Sequence, residues 1–483
     1  MAQLPLTGPV ELRIPPAMHR ELNAHLFPGD HDEHGAVICA TVQHTPRGTR
    51  LLARDLFLAY DGVHYLPGQR GYRMLSAEFV MECALHCAEH RLVYLAVHCH
   101  GGNDCVGFSG TDLASHERGY PALLDITDGP PVGGLVFAAG AVAGDIWQPD
   151  RSRVKLERAV VPGQPIVRLH PQPPAPPAAV GEGYDRQARL FGDRGQALLA
   201  GLKVGIIGLG GAGSLINEYL ARLGVGEIIA IDPDRIEPSN RPRVVGSRRC
   251  DTRPWLAHPR LPAALRRLGA VRRTAKVAIG ERVAREANPD ITYRAIHRDV
   301  VDADVAELLT DCDFLFLCAD TAQARLVFNA VVHQYLIPGI QMGAKAQVHP
   351  DTGDLLDLFT VTRVVLPGEG CLWCNGLISP SKLQDEATDP DQRAVQRYVD
   401  DPDLPAPSVI TLNAVAASLA VNEFLMMVTG LAEPRDLEWV RTLPRIGDVL
   451  SEAPRRDACC RECGATGRLG RGSTTRLPVR QRS

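Results

Sequence analysis

The chain has 483 residues, 45% apolar and 22% charged, with a net charge of −4. That length exceeds one ordinary core and points to two or three domains, while the near-neutral balance supplies no field for nucleic acid or an acidic membrane. Aromatic residues make up only 5%, too few for the stacking platforms of single-strand binders, so neither nucleic acid nor a membrane is an expected partner.

The first residues, MAQLPLTGPVELRIPP, show no basic start followed by an apolar run, so no signal peptide is expected. Thirteen cysteines, an odd number without a secretion signal, argue against a disulfide framework and for a reducing, cytoplasmic setting. AVICATV, LVYLAVH and GLVFAAG are short apolar runs that read as buried strands. Between the first two, SAEFVMECALHCAEH sets Phe79, Val80, Cys83, Ala84, Cys87 and Ala88 along one helical face. Residues 1–160 therefore read as an α+β domain. The segment VPGQPIVRLHPQPPAPPAAVGEG, residues 161–183, is expected to be an extended proline-rich spacer without regular structure.

From residue 184 onward strands and helices alternate. LKVGIIG, GEIIAID, ITYRAIH and DFLFLCAD are strands, with helices from Gly213, Ala275, Val305 and Gln323. This is the pattern of an α/β, doubly wound parallel sheet with helices on both faces, over residues 184–463. Val409–Leu431 is long and apolar enough for a membrane span. Asn413, Asn422 and Glu423 within it favour a buried helix of a large domain instead. Residues 464–483, basic and poor in large apolar groups, are expected to be disordered.

HCHGGNDCVGFSGTD, His98 to Asp112, carries a candidate metal site. His98 and His100 share one strand face, and Asp112 offers a third ligand. Three protein ligands leave a position for water, as in catalytic zinc sites. A carboxylate then serves as general base and Ser109 as hydrogen-bond donor to an oxyanion. Glu33, in EHGAVICA, supplies the carboxylate. This set resembles the JAMM/MPN metalloproteases: a glutamate, then His-x-His, a serine and an aspartate. The resemblance implies cleavage of peptide or isopeptide bonds beside the C-terminus of ubiquitin-like proteins. Eight residues rather than seven separate His100 from Ser109, Gly101 replaces the usual proline, and Ala36 and Ala40 stand where glycines are common. His86, His90 and His116 are expected to be solvated.

GLGGAGS, Gly208 to Ser214, follows a strand and opens a helix, the arrangement that brings backbone N–H groups to phosphate. Alone it does not separate NAD from ATP. Its neighbours YDRQARLFGDRGQ, IDPDRIEPSNRPR, Lys276, ANPDI and CADT resemble the ThiF/MoeB/HesA family and the adenylation domain of ubiquitin-activating enzymes. The resemblance implies that Gly208, Gly210, Gly211 and Gly213 cradle ATP and Asp232 binds its ribose. It further implies that Asn240, Arg243 and Lys276 contact phosphates and that Asp320 holds magnesium. The same resemblance implies that Arg186 reaches a partner subunit's active site, and so a homodimer. CLWC and CREC add Cys371, Cys374, Cys460 and Cys463, four thiolates suited to a structural zinc, with Cys459 as a nearby spare.

Two features set the chain apart from that family pattern. An arginine- and proline-rich insertion, around RRCDTRPWLAHPRLPAALRRLGAVRR, lies between Arg243 and Lys276 and reads as a solvated loop. No cysteine occurs between Cys374 and Cys459, where many relatives carry a thioester-forming one, and Cys250 in the insertion is a remote substitute. The combined expectation is ATP-dependent adenylation of a ubiquitin-like protein's terminal glycine, fused to a zinc peptidase that trims its precursor or its conjugates. A conjugating enzyme is a further partner that the resemblance admits. The alternative is activation and processing of a sulfur carrier.

Overall fold

The AVICA run is apolar throughout because its strand is covered on both sides. Ala36, Ile38 and Ala40 enter one core with Leu95 and Leu135, while Val37 and Cys39 face Phe79, Cys83 and Cys87. Alternate residues of a strand point to opposite faces, so a doubly covered strand loses the polar alternation. The computed structural model describes residues 5–30, 32–66, 73–179, 181–256, 258–349, 352–387 and 407–480.

The first sheet contains β1 (Val10–Arg13), β2 (Gly35–Thr45), β3 (Gly48–Leu58), β4 (Val93–Cys99), β5 (Val132–Ala138), β6 (Ala141–Trp147), β7 (Arg153–Val161) and β8 (Val167–Leu169). Their order is β1-β3-β2-β4-β5-β6-β7-β8, and β1 also pairs with β7, so seven strands close on themselves. Around them lie α1 (Pro16–Leu26), α2 (Ala77–His90) and α3 (Gly110–Thr127). The Ser76 hydroxyl caps α2 by accepting the Phe79 N–H, which removes one of the orphan donors of the first turn.

The second sheet contains β9 (Lys203–Ile207), β10 (Glu227–Ile231), β11 (Thr292–Ile296), β12 (Phe314–Leu317), β13 (Gly339–Val348), β14 (Leu355–Val365), β15 (Trp439–Leu443) and β16 (Asp448–Glu452). Its order is β11-β10-β9-β12-β13-β14-β15-β16. The first five pair in parallel, but β13 to β16 pair antiparallel. The sheet is therefore mixed rather than wholly parallel. β13 and β14 follow each other too closely for a crossover helix, and antiparallel pairing needs none. The helices are α4 (Asp185–Ala200), α5 (Gly211–Arg222), α6 (Ala263–Val271), α7 (Lys276–Ala287), α8 (Ala303–Ala306), α9 (Ala322–Gln334), α10 (Pro380–Ala387) and α11 (Ile410–Thr429). α5, α7 and α11 cover one face and α9 the other. α11 is the apolar segment noted above, and its Phe424 ring meets Phe314 and Phe316 at 4.9 and 5.5 Å.

Three segments depart from the sequence reading. The proline-rich stretch contains β8, which pairs with β7, and the Ile166 N–H donates to the Met427 carbonyl at 3.0 Å. Its apolar residues bury against the second domain, while 173–179 carry no regular structure. The tail residues 464–480 are held against both domains. Gly470 accepts the Thr41 hydroxyl at 2.7 Å and its N–H donates to His333 at 3.0 Å, while Ser473 donates to Gln43 at 2.7 Å. A segment too polar to fold alone is held here by polar groups of both domains. The insertion is anchored too: Asp251 is buried and accepts from Arg282 at 2.8 Å and Thr274 at 3.1 Å.

The two domains dock directly. Arg50 donates to Asp313 at 2.8 Å and to the Cys312 carbonyl at 3.1 Å, and Arg47 donates to Asp313 at 2.8 Å. Leu52 of β3 joins the core of the second sheet beside Leu315 and Leu469. Burial pushes the Asp313 carboxyl up, but Arg50, Arg47 and Arg13 outweigh it and hold it below the ordinary carboxylate value.

Candidate functional site

β2 and β4 run antiparallel with Gly35 opposite His98. Two residues further along, that register sets Glu33 against His100. A glutamate and a histidine far apart in sequence therefore meet, and the Glu33 carboxylate lies 3.8 Å from His100 Nε2. Asp112 arrives from α3. Ser109 caps that helix: its backbone N–H donates to Asp112 Oδ2 at 2.7 Å, and its hydroxyl oxygen accepts the Asp112 N–H at 3.2 Å. This reciprocal cap aims the aspartate at the histidines. Asp112 Oδ2 lies 3.6 Å from His98 Nε2 and 3.5 Å from His100 Nε2.

One ligand atom from each of these three residues lies within 4.8 Å of the others. His98 Nε2 is closed off from solvent without a hydrogen-bond partner, a costly state for a buried polar atom unless something else satisfies it. The eight residues between His100 and Ser109 form the loop before α3, and Asp112 reaches both histidines. The Ser109 oxygen is used as a cap acceptor. His86 stays outside the trio, bonded to Asp55 at 3.0 Å, and the His90 ring packs against it. His116 is buried rather than solvated, with Nδ1 3.0 Å from Asp145 and its ring stacked on Tyr120.

The second site forms where β9 meets α5. Gly208 has φ +92°, and a Cβ on Gly213 would lie 1.8 Å from the Gly208 carbonyl oxygen. Only glycine permits both the turn and that approach of helix to strand. Gly210 opens α5 without a side-chain cap, so Gly211 and its successors present free N–H groups. Both oxygens of buried Asp232 are engaged: Oδ2 accepts the Leu209 N–H at 2.6 Å and Oδ1 the Asp234 N–H at 2.8 Å. Burial is the largest influence on its carboxyl and pushes it up.

Lys276 donates to Asp234 at 2.7 Å and stands 3.9 Å from Asp232. Arg243 closes on the glycine turn: a Cβ on Gly211 would lie 3.3 Å from Arg243 Cδ. Asn240 sets that approach, because its carbonyl accepts the Arg243 N–H at 3.0 Å. Asp320 is exposed and directly follows Ala319, whose N–H lies 2.9 Å from the Cβ position of Gly208. Arg186 is exposed in the first turn of α4 and is not drawn into this group. One residue escaped the sequence reading as a site residue. Asn413 Nδ2 lies 2.3 Å from the Cβ position of Gly211, so α11 closes the turn from above. Its signal was an asparagine inside an otherwise apolar helix.

The four cysteines of the two C-x-x-C pairs also converge. Sγ of Cys371 lies 3.5 Å from that of Cys374 and 3.8 Å from that of Cys460, and Cys374 lies 3.6 Å from Cys463. Tetrahedral zinc–thiolate bonds of about 2.3 Å set sulfurs roughly 3.8 Å apart, so this group could bind a structural zinc. Cys459 is exposed and outside it, and all thirteen cysteines are unpaired.

Residues 184–443, more than half of the chain, match the ThiF family. The sulfur carrier protein ThiS adenylyltransferase of Bacillus subtilis is 28% identical over 42% of this chain and 56% of its own length. The molybdopterin-synthase adenylyltransferase of Haemophilus influenzae is 29% identical over 35% of this chain and 65% of its own. The SAMP-activating enzyme E1 of Haloferax volcanii is 29% identical over 30% of this chain and 47% of its own. The chain thus spans about half to two thirds of the length of these relatives, and residues 1–183 lie outside the family match. With the glycine turn, Arg243 and Asp320 gathered inside the matched region, the chain belongs to the ThiF family.

Proposed function

We propose that the protein adenylates the C-terminal glycine of a ubiquitin-like or sulfur-carrier protein and that its N-terminal domain hydrolyses a bond beside that same glycine. Family membership, with relatives named for adenylating such carriers, supports the first activity. The second is carried by one observation: Glu33, His98, His100 and Asp112 converge to 3.5–3.8 Å from four separate sequence positions.

In the adenylation site ATP lies along the glycine turn, with its phosphates at the start of α5. Arg243 and Lys276 neutralise charge as the carboxylate approaches the α-phosphate, and Asp320 would hold the magnesium. Lys276 leaves Asp234 to do so; Asp234 is largely exposed, so water replaces the lysine there at little cost. Asp232 holds the turn through Leu209 and accepts from the ribose at the edge of the same carboxylate. Arg186 and the exposed apolar positions Val409, Ile410, Val415 and Leu419 of the α11 region fit a homodimer, in which Arg186 serves the partner's site.

At the N-terminal site His98, His100 and Asp112 fit a zinc ion, which would acidify water and polarise the scissile carbonyl when bound. Glu33 takes the proton from the attacking water and returns it to the leaving amine. Ser109 turns its O–H toward the oxyanion. Both sites lie on one chain, which raises the local concentration of the trimmed carrier. The chain has no cysteine between Cys374 and Cys459, and this supports release of the acyl-adenylate to an external nucleophile. A reducing, cytoplasmic setting suits a chain that carries thirteen free thiols.

The test is mass spectrometry of a candidate carrier, bearing residues beyond its glycine, incubated with ATP and the full chain. The expected result is loss of those residues and gain of AMP. A carrier that keeps its extension and gains no AMP would refute the proposal. A thiocarboxylate rather than an amide-linked product would assign the pathway to sulfur transfer.

A further inference from the structure

A cavity of about 610 Å³ opens where the two domains and the proline-rich segment meet. Pockets of a few hundred to a thousand Å³ at domain interfaces are the usual seats of small ligands. Its apolar walls come from Val160 and Ile166 on one side and from Ala197, Leu198 and Leu202 on the other. The cavity is remote from the adenylation site. It touches Val428 at the end of α11, whereas Asn413 sits at the glycine turn near the helix start. Fifteen residues of helix separate them, about 22 Å at 1.5 Å per residue.

The cations around the cavity divide into two kinds. Arg13 is paired with Glu11 at 2.8 Å, Arg158 with Glu11 at 2.6 Å and Arg47 with Asp313 at 2.8 Å. Arg168 and Arg194 also line the cavity, yet among the described residues neither is within ion-pair distance of a carboxylate. Arg168 gives Nη1 to the Val428 carbonyl at 3.0 Å, and Arg194 gives Nη2 to the Pro174 carbonyl at 3.1 Å. Each keeps further N–H donors, because a guanidinium carries five. Burial is the main reason the Arg168 guanidinium is held down at about 10. His170, also in the lining, is lowered by burial and by Arg158, which favours its neutral form.

We propose that this cavity binds a small organic oxyanion, a carboxylate or phosphate carried on an apolar body, with Arg168 and Arg194 clamping the anion and the aliphatic walls taking the body. Guanidinium forks match both oxyanions in geometry and charge. The occupant contacts β7, the linker and α4 together, so it braces the docking of the two domains. This inference does not rest on either proposed activity.

Titration calorimetry and thermal melting of the full chain test it, with octanoate, octyl phosphate, octanol and inorganic phosphate as probes. Saturable binding of octanoate or octyl phosphate is expected, with a rise in melting temperature. Which of the two binds more tightly distinguishes a carboxylate from a phosphate source. Octanol and inorganic phosphate are each expected to bind at least about tenfold more weakly, since each lacks one half of the recognition. Arg194→Gln, at an exposed residue, should weaken the octanoate or octyl phosphate affinity by about tenfold. Ala197→Trp, which fills the cavity and keeps both arginines in place in the sequence, should abolish binding; both variants are judged only with a melting temperature in buffer equal to that of the parent. Absence of binding by both anionic octyl probes below about 1 mM, equal affinity for octanol or inorganic phosphate, or unchanged affinity in both variants would overturn the proposal.

Discussion

The Glu33 carboxylate lies 3.8 Å from His100 Nε2 because the β2–β4 register places Gly35 opposite His98. A one-residue slip of either strand would turn one partner to the opposite face. The site is therefore as secure as the buried strand pair beneath it, and the chemistry assigned to it can be tested residue by residue.

Glu33→Gln should keep the fold and the metal ligands while removing the base. Peptidase turnover on an extended carrier should fall by a factor of about 10² to 10⁴, with zinc content unchanged and ATP–pyrophosphate exchange at the parental rate. Equal loss of both activities would show that Glu33 acts through folding.

Arg243→Ala or Lys276→Ala should lower carrier-stimulated ATP–pyrophosphate exchange by roughly 10²-fold. Gly213→Ala should do at least as much, because its Cβ would meet the Gly208 carbonyl at 1.8 Å and misplace the turn. Cys250→Ser should leave exchange and transfer intact; a reducible adduct lost in that variant would restore a covalent cysteine step.

Removing metal with a chelator, or Cys371→Ser, should lower the melting temperature, since a structural zinc couples its binding energy to folding. Cys459→Ser should melt with the parent, because Cys459 is exposed and outside the four-sulfur group. Metal analysis of the purified protein gives the independent reading.

Asp313 carries a depressed carboxyl at the domain junction. Such a group contributes stability that is complete above its unfolded value near 4 and is lost as pH falls through its lower folded value. Thermal melts should therefore show the domain junction weakening below about pH 4. Asp313→Asn should cost about 3 kcal/mol at pH 7, because it leaves Arg50 and Arg13 buried beside an uncharged group. The same variant should flatten the acid dependence. An unaltered acid profile would remove Asp313 from that role.

Truncation after Cys463 should destabilise the protein, since Gly470 and Ser473 bridge Thr41 and Gln43 to the second domain. Proteolysis at the domain junction should quicken in the truncated form, and a truncated protein as resistant as the parent would contradict the bridging role.

Much of this was readable in the sequence, for a physical reason. Strand and helix periodicity, the glycine turn and the two C-x-x-C pairs are local patterns, and local sterics and ligand chemistry act on them wherever the chain goes. His98, His100 and Asp112 sit close enough in sequence that one strand and one capped helix bring them together. What the sequence left open depends on partners distant along the chain. The tail looks disordered by composition and is ordered by hydrogen bonds from both domains. His116 looks like any polar helix residue and is buried by Asp145 and Tyr120. The antiparallel half of the second sheet, the arginine–aspartate junction and the approach of Asn413 to Gly211 are pairings between separate segments. Their energy comes from desolvated contacts that exist only once the chain has closed, so only the tertiary structure decides them.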